Sequence, residues 1–287
     1  MIASRRLVVL SYSHLGAMIP PMHVLAVANH KGGVGKTVTA VNLAAGLAAA
    51  GQRTLLIDAD AQAHATLWFL DDPTAITHDL QDVLARGLPL AEAVQPTTVP
   101  GLDLLPSTLA LARLELDLVA LPRREERLRR ALAAPLPYAY VVVDLAPSLS
   151  LVSLNALAAA TGLIAPVTPT HLAVAALGSF LGWIEEFRQE EVVRAPLLGV
   201  LLTMAEPRRR VTAEVQQALA AHRLPLFQTV IPRRAAVEEH VAQRRHLAEG
   251  MPGLAPRPEA GAMPPGEDPV LAAYRAFTAE VLAATRR

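Results

Sequence analysis

Three runs of this chain, His23–Asn29, Arg53–Asp58 and Ala139–Asp144, carry an unbroken apolar stretch and then finish on a polar residue. A strand with one face in water alternates apolar and polar side chains, whereas a run without alternation is buried on both faces. Further runs at Leu102–Leu105, Leu163–Val167, Leu197–Met204 and Thr229–Ile231 are separated by longer stretches. Among these, Thr37–Ala50, stopped by Gly51, reads as a helix, and the surroundings of Leu111–Leu132 read as a charged helical region. The pattern predicts an α/β fold: a mostly parallel twisted sheet with helices on both faces. Such sheets bind ligands beyond the carboxyl ends of their strands, which is where Asn29, Asp58 and Asp144 fall.

Between the first strand and the first helix lies Asn29-His30-Lys31-Gly32-Gly33-Val34-Gly35-Lys36-Thr37. Backbone N–H groups of Gly32, Gly33, Val34 and Gly35 can turn inward onto phosphate oxygens, and the helix adds its positive end. In that P-loop arrangement Lys36 reaches the β- and γ-phosphates and the Thr37 hydroxyl takes Mg2+. A glycine-rich turn without a ligand is the plain alternative. The strand before, the helix after and the Gly-Lys-Thr triplet argue against it. Of 26 basic residues only Lys31 and Lys36 are lysine. Arginine-rich codon usage explains why lysine is rare, but its survival at these two places points to sites where a compact ammonium is needed.

Composition narrows the chemistry further. The chain has 287 residues and no cysteine, which excludes thiol catalysis, zinc–thiolate sites and iron–sulfur clusters. The 26 acidic residues balance the 26 basic ones, which argues against a globally basic nucleic-acid coat. The nine histidines share no metal-ligand spacing with carboxylates, and no Ser/His/Asp context is present. Residues 1–21 read as a flexible N-terminal extension and 22–287 as a single domain. Within it, 248–269 is a Pro/Gly-rich loop and 270–287 a closing amphipathic helix. Leu145–Ile184 has no charged side chain, but Asn155, Pro166, Pro169 and His171 interrupt it, so no membrane span is expected.

KGGVGKT at 31–37 resembles the deviant Walker A motif of the ParA/MinD group of dimeric ATPases. The usual phosphate-loop pattern has a glycine where His30 stands, and the extra lysine beside it carries the likeness. Leu55–Gln62 is similar to the switch I segment of that group, and Val141–Ser148 to its Walker B strand and switch II. The resemblance covers roughly Val24 to Val241 and then the terminal helix. It is nearest the short Soj-like proteins that partition chromosomes or plasmids.

The resemblance implies a slow, partner-stimulated ATPase using ATP/ADP and Mg2+. It implies that Lys36 serves its own nucleotide while Lys31 crosses to that of a second subunit in an ATP-bound homodimer. Asp60 would orient or activate the attacking water, Asp58 would support the Mg2+ site with Thr37, and Asp144 would hold the metal through water. Asp144 also fits a helix cap. Met204 after a late strand, with Pro232 and Arg233, resembles the adenine wall, although a core methionine and a turn proline are equally ordinary. Val38 completes the nucleotide-contacting stretch where the family usually has a second threonine, at the loss of one hydroxyl contact. Ala61, Ala63 and His64 replace the family's Pro, Gly and Asn, and Ala146 replaces a Pro.

Arg208, Arg209, Arg210, Arg234, Arg244 and Arg245 lie in a stretch, 205–245, with eight Arg against four Glu. In Soj-like proteins arginines bind double-stranded DNA non-specifically when the dimer forms; Arg208 matches one such place, while Ala236 stands at a second, and a solvated helix face is the other reading. A ParB-type partner and a cytoplasmic, nucleoid-associated location follow from the resemblance. Rival expectations are a MinD-like membrane-cycling ATPase and a ParA-like ATPase that positions a protein cargo.

Overall fold

The structure, a computed structural model, describes residues 22–70, 72–206, 209–233 and 268–286. The expected extension 1–21, most of the loop 248–269, and Arg208, Arg234, Arg244 and Arg245 lie outside the described residues.

Eight strands form one sheet: β1 (His23–Val27), β2 (Thr54–Ala59), β3 (Gln95–Pro96), β4 (Leu102–Leu105), β5 (Tyr140–Leu145), β6 (Gly162–Val167), β7 (Leu197–Ala205) and β8 (Leu226–Pro232). Their order is β3-β4-β2-β5-β1-β6-β7-β8, and every pairing is parallel except β3 on β4. The helices are α1 (Lys36–Ala49), α2 (His64–Phe69), α3 (Leu90–Ala93), α4 (Leu114–Val119), α5 (Arg127–Ala131), α6 (Leu151–Ala159), α7 (His171–Gln189), α8 (Arg210–Ala221) and α9 (Pro269–Thr285).

The missing alternation in the strands has the expected cause. Leu25, Val27, Leu56 and Val142 point to one face and pack with Leu43 and Leu47 of α1 and Phe277 of α9. Val24, Ala26, Ile57, Val141 and Val143 point to the other and pack with Leu118, Leu157, Leu177 and Leu219 from α4, α6, α7 and α8. Each strand residue therefore meets a helical layer on its own side.

The charged region expected around Leu111–Leu132 is not one continuous helix. A 3-10 turn (Leu109–Arg113) runs into α4, which ends at Val119, and α5 begins only at Arg127. Pro122 interrupts it, having no N–H to donate and a ring that crowds the preceding turn; Arg123 behind it has φ 51°. The strand β3 was not anticipated from the sequence. It is two residues long, and its Pro96 suits an edge position.

At the opposite edge, the Glu280 carboxylate of α9 accepts the N–H groups of Gln228 and Thr229, both at 2.7 Å. This covers donors that an exposed edge strand would offer to another chain. α9 also packs tightly on α1: a Cβ added to Gly46 would collide with Thr278 Oγ1. The buried residues of α9, among them Tyr274, Phe277 and Val281, line its inner face. No described helix is long and apolar enough to cross a membrane.

The register decides where chemistry can occur. Val27 and Asp58 both pair with Asp144, one from each side of β5. The ends of β1, β2 and β5 are thus level, and the glycine loop leaves the sheet at the same height.

Candidate nucleotide site

The loop is anchored at both ends. Asn29 donates from Nδ2 to the Pro166 carbonyl at 2.8 Å, and its Oδ1 accepts the Lys31 N–H at 3.0 Å, which bends the chain away from β1. Further along, the Thr203 hydroxyl donates to the Val34 carbonyl at 2.8 Å and ties the loop to β7. Gly33 and Gly35 have φ of 70° and 80°, a left-handed backbone that favours glycine. Gly35 is the N-cap of α1 and brings no side chain to the first-turn amides. Those amides and the positive end of the helix are left for an anion.

Lys36 is only 7% exposed, and its ammonium donates to the Lys31 carbonyl at 3.1 Å, folding back across the loop. Burial lowers its pKa, while Asp144 and Asp60 act in the opposite direction. Lys31 is half-buried, and its ammonium forms no ion pair among the described residues.

Asp58 and Asp144 are both 0% exposed. Asp58 Oδ1 accepts the Asp60 N–H at 3.1 Å, and its Oδ2 accepts the N–H and hydroxyl of Thr66 at 2.7 and 2.8 Å. Burial pushes the Asp58 carboxyl up to about 6 against the pull of those hydrogen bonds. Asp144 is different: neither carboxylate oxygen has a hydrogen-bond partner of ordinary geometry. Burial raises its pKa well above the usual carboxylate range, and the neighbouring Asp58 adds to this. The Thr37 hydroxyl and Lys36 ammonium are near enough to oppose the shift without cancelling it. A buried carboxylate with no partner, facing a hydroxyl and opening onto a phosphate loop, matches the donor set a hard divalent cation requires. Thr37 and Asp144 therefore fit Mg2+. Asp58 has its oxygens engaged within the protein.

Asp60 lies just past the sheet, its Oδ1 accepting the Gln62 N–H at 2.9 Å. It lines a cleft of about 430 Å³ with Ala61, Leu111, Glu115, Pro147 and Ser150. The cleft separates the segment after β2 from the segment after β5.

Residues 22–195 match the family model described as an AAA domain. Chromosome partitioning protein ParA of Caulobacter vibrioides is 39% identical over 223 residues, 76% of this chain and 84% of that protein. The chain belongs to the ParA/Soj family of partitioning ATPases. The chromosome-partitioning ATPase Soj of Thermus thermophilus is 40% identical over 230 residues, covering 79% of this chain and 88% of its own length. Among solved structures, cobyrinic acid a,c-diamide synthase from Mycobacterium smegmatis, with bound ATP analog and magnesium, superposes with a TM-score of 0.76 at 30% identity. That match covers 93% of this chain and 96% of the other.

Seen as a ParA/Soj protein, the chain has departures with local explanations. Ala63, where the family has Gly, adopts φ 54° and ψ 32° at the N-cap of α2. The left-handed backbone is retained without the residue that suits it, a strain of about 1–2 kcal/mol. Val38 packs its side chain against the core on the α1 face.

At the far side of the loop, Met204 also has a positive φ, 51°, and its Cε lies 3.6 Å from the point a Cβ on Gly35 would occupy. Pro232 pairs with Ala205, and the Arg233 N–H donates to the Ala205 carbonyl at 2.8 Å. Met204, Pro232 and Arg233 thus gather at the ends of β7 and β8. Of the expected DNA contacts, Arg209 and Arg210 are described, both exposed at the start of α8. Arg209 pairs with Glu206 and Arg210 with Glu214, each at 2.7 Å, and Arg233 reaches Glu206 at 3.8 Å.

Two participants escaped the sequence reading. Thr66 and Ser107 hold the Asp58–Asp60 segment, yet neither belongs to a spacing that marks it. Their partners are 8 and 41–47 residues away and meet only in the folded chain.

Proposed function

We propose that this ParA/Soj protein binds ATP, closes into a homodimer on it, hydrolyses it slowly and uses the cycle to segregate DNA with a ParB-type partner. The observation that carries the reading is Asp144, a wholly buried carboxylate with two unpartnered oxygens beside the Lys36–Thr37 end of the loop. Left without a cation, such a group is costly to bury.

In this reading the amides of Gly32, Gly33, Val34, Gly35 and Lys36 cradle the phosphates, and Lys36 lies along the β- and γ-positions. Thr37 and Asp144, with Asp58 behind them, would hold magnesium, which would supply neutralisation of the phosphate charge. Asp60 orients the attacking water from the cleft side. Lys31 reaches the nucleotide of the second subunit. Thr37 and Val38 flank the phosphates, and Met204, Pro232 and Arg233 wall the base.

Arg209 and Arg210, together with Arg208, Arg234, Arg244 and Arg245 from outside the described residues, would contact the DNA, and the protein would then act on the nucleoid in the cytoplasm. Arg209 and Arg210 support this as exposed cations at the start of α8, where they oppose the helix dipole, although Glu206 engages the first and Glu214, one turn on, the second. A membrane-cycling role is disfavoured because the apolar face of α9 is spent on α1 and β8.

The test is gel filtration with ATP, ADP and no nucleotide, with and without duplex DNA, on the wild type and Lys31→Ala. The wild type should shift to a dimer with ATP alone and co-elute with DNA in that state. Lys31→Ala should bind nucleotide as a monomer; normal ATP-dependent dimerisation by this variant would overturn the reading.

A further inference from the structure

A closed ring of hydrogen bonds surrounds the segment between Asp58 and Thr66, and nucleotide binding as such does not call for it. The Thr66 N–H and hydroxyl donate to Asp58 Oδ2 at 2.7 and 2.8 Å, and Asp58 Oδ1 accepts the Asp60 N–H at 3.1 Å. From the end of β4, Ser107 donates its N–H to Thr66 Oγ1 at 2.9 Å and its hydroxyl to the Asp60 carbonyl at 2.8 Å. The Ala63 N–H also donates to the Asp60 carbonyl, at 2.9 Å. Asp58, Thr66 and Ser107 are all buried.

The consequence falls on Asp60. A residue that leaves a strand for a loop ordinarily has backbone groups open to water. Here its N–H and its carbonyl are both fixed, by elements from β2, α2 and the segment after β4. Its carboxylate is left at the cleft. Buried hydrogen bonds are strong in their surroundings and costly to leave half-made, so each partner in the ring constrains the next.

We propose that Thr66, acting through Asp58, and Ser107, acting on the Asp60 carbonyl itself, are positioning residues that hold the Asp60 backbone so its carboxylate is set for hydrolysis. This rests on the reading of Asp60 as the water-orienting group. Asp58 then works in two directions at once, one oxygen holding α2 and the other holding Asp60.

Two readouts test it: hydrogen exchange of the Asp60 amide in the nucleotide-free protein, and steady-state kcat and KM for ATP. Thr66→Val removes the hydroxyl at nearly constant volume. It should speed exchange at Asp60 and lower kcat about tenfold, with KM within about twofold of wild type. Thr66→Ser should restore both. Ser107→Ala, which keeps its N–H, should show the same split at smaller amplitude and serves if Thr66→Val does not fold. Wild-type exchange at Asp60 in Thr66→Val, or a loss of kcat that serine fails to restore, would overturn the proposal. So would a rise in KM matching the fall in kcat, since that marks general distortion of the site. Asp60→Ala separates this from the underlying reading. Wild-type turnover in that variant removes Asp60 from catalysis and takes the catalytic part of the proposal with it, while exchange in Thr66→Val still decides whether the ring holds the backbone.

Discussion

Asp58 and Asp144 sit opposite one another on adjacent strands, are equally buried, and differ in almost everything else that matters. Asp58 accepts three hydrogen bonds from groups that belong to the fold. Asp144 accepts none of ordinary geometry. Burial raises both carboxyls; the neighbouring Asp58 adds to the rise at Asp144, and Asp60 adds to that at Asp58. Burial and position alone would assign the two carboxylates the same job. Their partners separate them: one is saturated by its own protein, and the other is left for a ligand to satisfy.

The largest effect should therefore come from Asp144. Asp144→Ala should reduce ATP turnover by roughly 10²–10³-fold, in the range found when a single preorganised electrostatic group is lost. Thermal unfolding adds a second arm. In EDTA at neutral pH, Asp144→Asn should melt above the wild type, because burial makes the wild-type carboxyl costly to ionise as pH rises and the Thr37 hydroxyl and Lys36 ammonium offset that only in part. Added Mg2+ and ATP should raise the wild-type midpoint and leave that of Asp144→Asn nearly unmoved. Equal stabilisation of both proteins would mean that Asp144 is not the cation's anchor.

Asp58→Asn should behave in the opposite sense. The amide keeps one acceptor and loses the other, so the metal-free protein should melt below the wild type. Turnover should fall about tenfold, the loss expected when one buried hydrogen bond is broken. The Mg2+ concentration giving half-maximal activity should remain close to wild type, since in the proposed site the metal would rest on Thr37 and Asp144. A rightward shift of the Mg2+ titration as large as any for a direct ligand would erase the distinction between the two carboxylates.

Much of this architecture is legible in the order of residues alone. The two-sided burial of β1, β2 and β5 follows from apolar runs without alternation, and the loop announces itself through Gly-Lys-Thr between a strand and a helix. Asp144 is marked by its place at a strand end. What the sequence could not convey is the division of labour between Asp58 and Asp144, because both are acids ending buried strands. Their difference is made by Thr66 and Ser107, residues with no distinctive spacing and ordinary types. Nor does composition reveal that Arg209 and Arg233 share Glu206, or that Pro122 splits the charged region. Local patterns predict elements; contacts between residues far apart in sequence decide which polar groups remain unsatisfied.

The smallest predicted effect lies inside the saturated half of the site. Ala63 keeps a left-handed backbone between Asp60 and α2, with its N–H on the Asp60 carbonyl at 2.9 Å. Glycine would relieve about 1–2 kcal/mol of strain there, but it also gains freedom in the unfolded chain, worth about 0.5–1 kcal/mol in the other direction. Ala63→Gly should therefore stabilise the protein by about 0.5–1 kcal/mol in urea unfolding, with an unchanged m-value. The ring through Asp58, Thr66 and Ser107 fixes Asp60, and Ala63→Gly keeps the backbone N–H that reaches the Asp60 carbonyl, so kcat and the Mg2+ titration should stay at wild-type values. A large change in turnover would show that strain at Ala63, and not the ring alone, sets the position of Asp60. The saturated half of the site would then be a sprung segment and not a rigid one.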